Sequence, residues 1–373
     1  MDLHSHLSEL PDFRRHNKNF RHKLSDVLFL SVCGILSGAE GFEEIEEYGI
    51  EKEDFLRDFL ELPHGIPSHD TIRRVFMYTD SEAFNKGFMT WVNSNFGANL
   101  YVGCLMRHVQ FDGKTMRGSG LKGNKKTHIV SAFAEGISLG QYKVDSKSNE
   151  IKAIPELLKM LHLQGCIVSI DAIGCQKAIA TQIIDKEADY FLAVKGNQES
   201  LFSQVQDTFV KEGDEQCYTK ADYAGSYNQV IEYQVEVTSN LKWVEVLEEW
   251  KNLKVLIKVQ TNRITKDGVT ECRYYISSKS DLSGKDAYFL ARNHWGIENK
   301  LHWQLDVTFK EDANKTSMEN APQNLALLNK IALNILKMDN ASKISKKAKR
   351  KKAGWSNAYL MQLLENANII KKT

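Results

Sequence analysis

The chain of 373 residues has no run of about 18 apolar residues, so no membrane-spanning helix is expected. Its opening stretch, MDLHSHLSELPDFRRHNKNF, is polar and lacks the apolar centre of a signal peptide, which points to the cytoplasm. Proline is scarce, at five residues, and no low-complexity tract interrupts the first 340 positions, which argues against a long unstructured linker. The six cysteines, Cys33, Cys104, Cys166, Cys175, Cys217 and Cys272, are scattered and form no C-x-x-C pair. Reduced thiols of a cytosolic protein are expected rather than a disulfide framework. Excess charge is absent too: the net value is +1, which argues neither for nor against nucleic acid. What remains is ordinary for a folded soluble protein, 42% hydrophobic and 26% charged, at a length that suggests two or three domains.

Charge is distributed unevenly. KISKKAKRKKAGW places Lys343, Lys346, Lys347, Lys349, Arg350, Lys351 and Lys352 together with no acid between them. Such a run is either a solvated tail or a contact for a phosphate backbone, which needs clustered cations rather than net charge. The first hundred residues read as helical. HKLSDVLFLSVCGILSGAEG is an apolar helix closed by glycines, and GFEEIEEYGIEKEDFLRDFLEL is amphipathic. After the turn PHGIPSHD another helix begins, with Ser68 as its cap and Arg73 and Arg74 projecting from it. The arrangement fits a helix-turn-helix reader of DNA, and equally a helical bundle.

From about residue 105 the texture changes. RHVQFDGK alternates like a strand, and HIVSAFAEG and ISLGQYKV read as a hairpin. SNEIKAIPELLKMLHL is a helix, CIVSIDA a buried strand, CQKAIATQIIDKEA a helix, DYFLAVKGN a strand and QESLFSQVQDTFVKE a helix. Three antiparallel strands followed by parallel crossovers predict a mixed five-stranded sheet with helices on its faces, the order of the ribonuclease H-like α/β fold. Residues 213–280 turn strand-rich and read as a β insertion. Helical periodicity returns at DAYFLARNHWGIENKLHWQL, where Leu290, Ile297, Leu301 and Leu305 form one apolar stripe with Glu298 at its edge.

Acids fall at telling positions. Asp112 lies in the first strand and Asp171 ends the fourth, and these strands are neighbours in such a sheet. Two convergent carboxylates repel unless a cation lies between them. Mg²⁺ or Mn²⁺ suits hard oxygen ligands, and Glu298 as a third acid would allow two ions about 3.5–4 Å apart to act on a phosphodiester. Each acid also has a plainer role open to it: Asp112 in a turn before Gly113, Asp171 as a helix cap, Glu298 paired with Lys300 or His302. His294, Glu298 and His302 share one helix face at i, i+4 and i+8, an alternative zinc or iron site of a metal-dependent hydrolase. Lys195 follows a buried strand and can meet phosphate, and Asn197 can cap the next helix. Trp243 and Trp250 belong either to a core or under a flipped base.

These residues lie within longer motifs: GAEGFEEIEEYG, GIPSHDTIRRVF, FDGKTMRGS at Asp112, SNEIKAIPELL, IDAIGCQKAIA at Asp171, DYFLAVKGNQ, RYYISS, and RNHWGIENKLHWQLDVTFKED at Glu298. Over nearly its whole length the chain resembles the DDE transposases of bacterial insertion sequences, in their H-repeat-associated branch. The resemblance implies an all-α DNA-binding domain over residues 1–100. It implies a ribonuclease H-like catalytic domain over 101–335 with a β insertion, and a basic helical tail over 336–373. It implies a cytoplasmic endonuclease, nucleoid-associated on DNA, that binds terminal inverted repeats as a homodimer or larger assembly. It would cut and join DNA through metal held by Asp112, Asp171 and Glu298, in transposition of a mobile element. Arg73, Arg74, Lys114, Lys195, Arg292, His294, His302, Lys346, Lys347, Lys349 and Arg350 are the expected DNA contacts. The chain departs from related transposases around Glu298: Ala291, His294 and Leu305 stand where a tyrosine, an arginine and a lysine are common. Arg292 can replace the arginine, and His302 or Lys310 the lysine. A DNA-binding protein of the same fold that no longer cuts is the alternative.

Overall fold

The computed structural model describes residues 3–14, 20–97, 106–123, 125–144, 150–211, 216–224, 229–264 and 269–369. Cys104 and the expected domain boundary at residue 101 lie outside them. Along the chain run α1 (Leu3–Ser8), α2 (Leu24–Leu36), α3 (Phe42–Glu51), α4 (Glu53–Leu56), α5 (His69–Tyr78) and α6 (Ser81–Asn95). Then come β1 (His108–Thr115), β2 (His128–Ala134), β3 (Ile137–Val144), α7 (Glu150–Met160), β4 (Ile167–Ile170), α8 (Lys177–Asp185), β5 (Asp189–Val194) and α9 (Glu199–Lys211). Four strands follow, β6 (Gln216–Ala224), β7 (Gln229–Thr238), β8 (Val255–Ile264) and β9 (Val269–Ser277). The chain ends in α10 (Gly284–His294), α11 (Trp303–Thr308), α12 (Ala321–Met338), α13 (Lys346–Trp355) and α14 (Asn357–Asn366). The sheet is mixed and nine-stranded, in the order β3-β2-β1-β4-β5-β9-β8-β7-β6.

Residues gather into two compact units: Met1–Val102, Gly113–Lys147 and Asn299–Thr373 form one, Gly103–Asp112 and Ser148–Glu298 the other. The first is built around α12, whose residues from Ala321 to Leu336 are all buried. A helix buried on every side must satisfy its polar groups internally. Asn324 donates to the carbonyls of Phe76 and Thr79 at 2.9 and 3.0 Å, and Asn334 to that of Ser138 at 2.9 Å. Lys330 donates to Gln141 at 2.7 Å, and burial pushes its ammonium down to about 8. Ser68 caps α5 as expected, accepting from the Thr71 amide. The β2–β3 hairpin turns through Glu135 and Gly136, at φ 51° and 89°, the positive angles a tight hairpin turn demands.

In the second unit β1 and β5 run parallel to β4 between them. The strands of residues 213–280, read as an insertion within the α/β domain, join the main sheet. β9 pairs antiparallel with β5, from Phe191 opposite Ser277 to Val194 opposite Tyr274, so β6–β9 lengthen the same sheet. That pairing covers an edge β5 would otherwise expose. α10 opens with a capping box between Ser283 and Asp286. It lays Ala287, Leu290 and Ala291 on a core of Tyr233, Val235 and Ile257. The expected stripe of Leu290, Ile297, Leu301 and Leu305 is buried throughout. The described cysteines, Cys33, Cys166, Cys175, Cys217 and Cys272, are free thiols. No helix among the described residues is long and apolar enough to cross a membrane.

Candidate active site

Parallel pairing of β1 with β4 sets Phe111 opposite Ile170. The next residues are Asp112, within β1, and Asp171, just past β4, so the register brings two carboxylates side by side at the carboxyl end of β4. Ligand sites in open α/β sheets commonly lie beyond such carboxyl ends. Asp171 is also the cap it could have been: its Oδ1 accepts from the amides of Ile173 and Gly174 at 3.1 and 3.4 Å. The turn is tight, and a Cβ at Gly174 would come within 2.2 Å of Ile170 Cγ2. Burial raises the Asp171 carboxyl above the ordinary aspartate range, and the charges of Asp112 and Glu150 push it further. The two amide bonds oppose that rise without cancelling it.

Glu298 follows α10 and opens a single π turn, Glu298–His302. Such turns are uncommon and recur at functional sites. Asp112, Asp171 and Glu298 line one cleft of about 390 Å³, with Lys195, Arg273 and His294 among its other walls. The strain between Asp112 and Asp171 and the all-oxygen donor set suit a hard divalent cation. Among the described residues no group of three or more His, Cys, Asp or Glu side chains is drawn together into a ligand set, so Glu298 shares the cleft without closing on the aspartates.

Sequence reasoning misses Arg273. The sequence assigns its strand to an insertion, yet β9 lies against β5, and Val194 pairs with Tyr274. Lys195 and Arg273 are the next residues in that register. Glu271 accepts from Arg273 Nε at 2.8 Å, and the guanidinium lies 4.4 Å from the Trp295 ring centroid, so this cation is held in place. The only hint in the sequence is the motif RYYISS, where Arg273 and Tyr275 alternate with Tyr274.

Several expected DNA contacts need correction. Lys114 is an internal cation: its side chain is 11% exposed, with Asp306, Glu311 and Asp312 at 2.7, 3.0 and 3.0 Å. Burial opposes its charge, but the three carboxylates outweigh that and raise its pKa. His302 is buried and is not a wall of the cleft. No ligand set that includes His302 is drawn together among the described residues. In the basic run, helical spacing turns Lys349 and Arg350 inward, where both are buried. Lys349 donates to the Leu336 carbonyl at 3.2 Å and pairs with Asp339 at 3.3 Å. Arg350 donates to the carbonyls of Ile35 and Ala39 at 2.8 and 2.9 Å and to that of Thr308.

The other cations stay outside. Arg74, Lys195, Arg292 and Lys347 are exposed, and Lys346 is half-buried. Arg73 is tied to Asp70 and Glu43 at 2.7 and 2.6 Å. Arg292 lies 4.9 Å from the centroid of the Tyr233 ring. Lys346 and Lys347 line a groove of about 520 Å³ with Trp303 and Lys337. Burial lowers the Lys346 ammonium, and the like charges of Lys337, Lys349 and Lys300 lower it further. Trp250 is buried, whereas Trp243 is 42% exposed under Lys211. Asn197 does not cap α9; it donates to the Ala172 carbonyl at 2.7 Å.

Comparison with known proteins gives a family and several relatives. A family described as "Transposase DDE domain" matches residues 103–335, and one described as "DDE_Tnp_1-associated" matches residues 4–92. "Putative transposase YncI" of Escherichia coli O157:H7 is 39% identical, over 98% of this chain and 95% of that protein. "H repeat-associated putative transposase YhhI" of Escherichia coli K12 is 36% identical over 98% of each. "Inactive transposase YbfQ" of the same strain is 49% identical over 20% of this chain and 86% of its own length.

Proposed function

The chain belongs to the DDE transposase family, and from that premise we propose that it binds the terminal repeats of its element and cuts and joins DNA at the cleft of Asp112, Asp171 and Glu298. The sharing of one cleft by these three acids, from β1, the end of β4 and the turn after α10, carries the reading. Members of the family use divalent metal, and here Asp112, Asp171 and Glu298 would hold one Mg²⁺ or Mn²⁺ ion, or two. Bound metal would supply activation of the attacking hydroxyl and stabilisation of the leaving oxygen. The protein's own cations do the remaining work. Lys195 and Arg273 face the same space and neutralise the non-bridging oxygens of the scissile phosphate, where negative charge grows in the transition state. Cleavage exchanges a P–O3′ bond for a bond to water oxygen; joining exchanges it for a bond to a 3′ hydroxyl. The word "Inactive" belongs to the name of a relative that matches 20% of this chain, and the intact acid set here favours cutting over silent binding. The test is magnesium-dependent nicking of DNA that carries the element's ends; tight binding without nicking would leave the silent reading in its place.

End recognition is assigned to α5 and to the groove beside α13, in a homodimer or larger assembly. Arg74 is exposed while Arg73 is engaged by acids, so the two are expected to differ. Arg74→Ala should narrow discrimination between the terminal repeat and random DNA by about 1–3 kcal/mol. Arg73→Ala should lose less. Equal loss on both DNAs would reduce Arg74 to a phosphate contact, and no loss on either would remove α5 from the interface.

The basic run divides by burial. Replacing Lys346, Lys347, Lys351 and Lys352 by glutamine should weaken binding to all DNA and flatten the slope of log affinity against log salt by about 0.9 for each phosphate no longer neutralised. Thermal stability should hardly change. Arg350→Gln should do the reverse, because it strands the carbonyls of Ile35, Ala39 and Thr308. A parental salt slope in the fourfold variant would make the outward lysines a solvated face.

A further inference from the structure

Behind the acids of the cleft runs a hydrogen-bonded line of side chains that the proposed chemistry has not used. His108 in β1 is buried, and its Nε2 lies 2.7 Å from Ser169 Oγ in β4. The same Oγ lies 2.8 Å from Nδ1 of His294, near the end of α10. On its far side His108 Nδ1 meets two amide nitrogens, Gln110 Nε2 at 3.1 Å and Asn293 Nδ2 at 3.2 Å. His294 then reaches the cleft, where Asp112 is a neighbouring wall.

The protons at the His108 end of this line are set by its amide neighbours. An amide NH₂ can only donate, so His108 Nδ1 must accept from Gln110 and Asn293. A neutral imidazole carries one proton, which therefore sits on His108 Nε2 and is donated to Ser169 Oγ. Burial keeps His108 neutral by driving its pKa down to about 3, and the nearby His294 adds to the fall. Having accepted from His108, the Ser169 hydroxyl keeps one hydrogen and one lone pair for its contact with His294 Nδ1. With that hydrogen turned to His294, Nδ1 accepts and the His294 proton sits on Nε2; charging His294 would then place a second hydrogen on Nδ1 against the hydroxyl's own, so this arrangement goes with the neutral ring.

We propose that His294 is a catalytic residue that presents a fixed Nε2–H to a non-bridging oxygen of the scissile phosphate, with Ser169 and His108 as the positioning residues that hold the proton there. The inference rests on the reading of the cleft as a site of phosphodiester chemistry. It goes beyond that reading by giving one donor a defined tautomer and two residues outside the cleft a role in it. A neutral, oriented donor adds transition-state stabilisation without reorganising during the reaction. It also differs from the flexible cation that commonly stands at this position in related transposases.

Two measurements test it separately. Nitrogen-15 NMR of the imidazoles in the full-length protein reads the tautomer without any need for activity. The parental protein should show His294 protonated at Nε2, and Ser169→Ala should spread the proton over both nitrogens. The kinetic arm uses cleavage of end DNA at fixed magnesium. His294→Ala should lower kcat about 10²–10³-fold, the usual loss for one oriented donor, with KM and thermal midpoint near parental. His294→Gln, whose amide nitrogen falls close to the place of Nε2, should recover at least about tenfold of that loss, and His294→Asn, whose nitrogen mimics Nδ1, should recover none. Ser169→Ala should cost about 10-fold in kcat, as loss of a supporting partner commonly does. A parental His294 protonated at Nδ1 overturns the proposal, as does a glutamine variant no better than alanine or a Ser169→Ala protein at the parental rate. If the parental protein does not cut DNA at all, the transposase reading fails, and the NMR still decides whether the line exists.

Discussion

A Glu298→Gln protein is expected to fold, bind the element's ends and cut them about 10²–10³-fold more slowly than the parent. Glutamine keeps the size of glutamate and removes its charge. Glu298 is exposed in the cleft at the first residue of a π turn, so its loss leaves no buried partner stranded. Folding stability should therefore stay within about 0.5 kcal/mol of parental. Asp112→Asn and Asp171→Asn should lose cleavage to a similar degree. Asp171→Asn also relieves the repulsion that raises this carboxyl, and its Oδ1 can still accept from Ile173 and Gly174. Double replacements should be far from additive, because the acids act as one unit. If Glu298 were only part of a charged helix surface, cleavage would fall no further than the folded fraction. Thermal midpoint, end binding and cleavage measured on one preparation separate the two accounts.

The second large effect is expected at Lys114, on stability rather than chemistry. Lys114→Met removes the cation from among Asp306, Glu311 and Asp312, and Glu311 is only 2% exposed. Leaving a buried carboxylate without its partner typically costs about 3–5 kcal/mol, a large part of the roughly 5–15 kcal/mol that holds a domain together. The pH dependence has a definite sign. Burial already raises the Asp306 carboxyl above its unfolded value, and Asp312 and Glu311 add to the rise while Lys114 opposes it. Without Lys114 the Asp306 carboxyl moves higher still. A raised carboxyl contributes stability at acid pH that is lost as pH rises through its folded value. The deficit of the variant should thus be full near pH 7 and shrink toward about pH 4. The Lys114 pKa is itself raised, so in the parent its contribution persists through the neutral range and fades only above the ordinary lysine range. Urea unfolding of both proteins across pH checks this. A variant with parental stability and weakened DNA binding would restore Lys114 to the interface.

Why was the acid set legible in the sequence and the Lys114 cluster not? Asp112 lies in a strand and Asp171 ends another, the order of strands and helices implies that these two are neighbours, and parallel pairing then brings the acids together. Glu298 stood beside an apolar stripe of helical period, which fixed its face. Lys114 follows Asp112 by two residues, but its partners lie far downstream, at Asp306, Glu311 and Asp312. No local pattern encodes an ion pair of that span. The basic run failed for a different reason. Seven cations look alike in a row, and only the helical phase of α13, with Ala353 on the inner face beside Lys349 and Arg350, separates inward from outward. β6 escaped notice because an outermost strand carrying Lys220 and Asp222 lacks the apolar alternation of a half-buried one. The pairing of β9 with β5 is non-local, and it is that pairing which brings Arg273 to the cleft.

The central claim is that Asp112, Asp171 and Glu298 make one centre for cutting DNA. Single-turnover cleavage of a duplex that carries the junction between the element's end and flanking DNA tests it most directly. The parental protein, Asp112→Asn, Asp171→Asn and Glu298→Gln would be assayed in magnesium and in chelator. The account predicts a metal-dependent nick at the junction by the parent alone, with comparable end binding by all four proteins. Cleavage at the parental rate by any one of the three variants, or parental cleavage that persists in chelator, would contradict it.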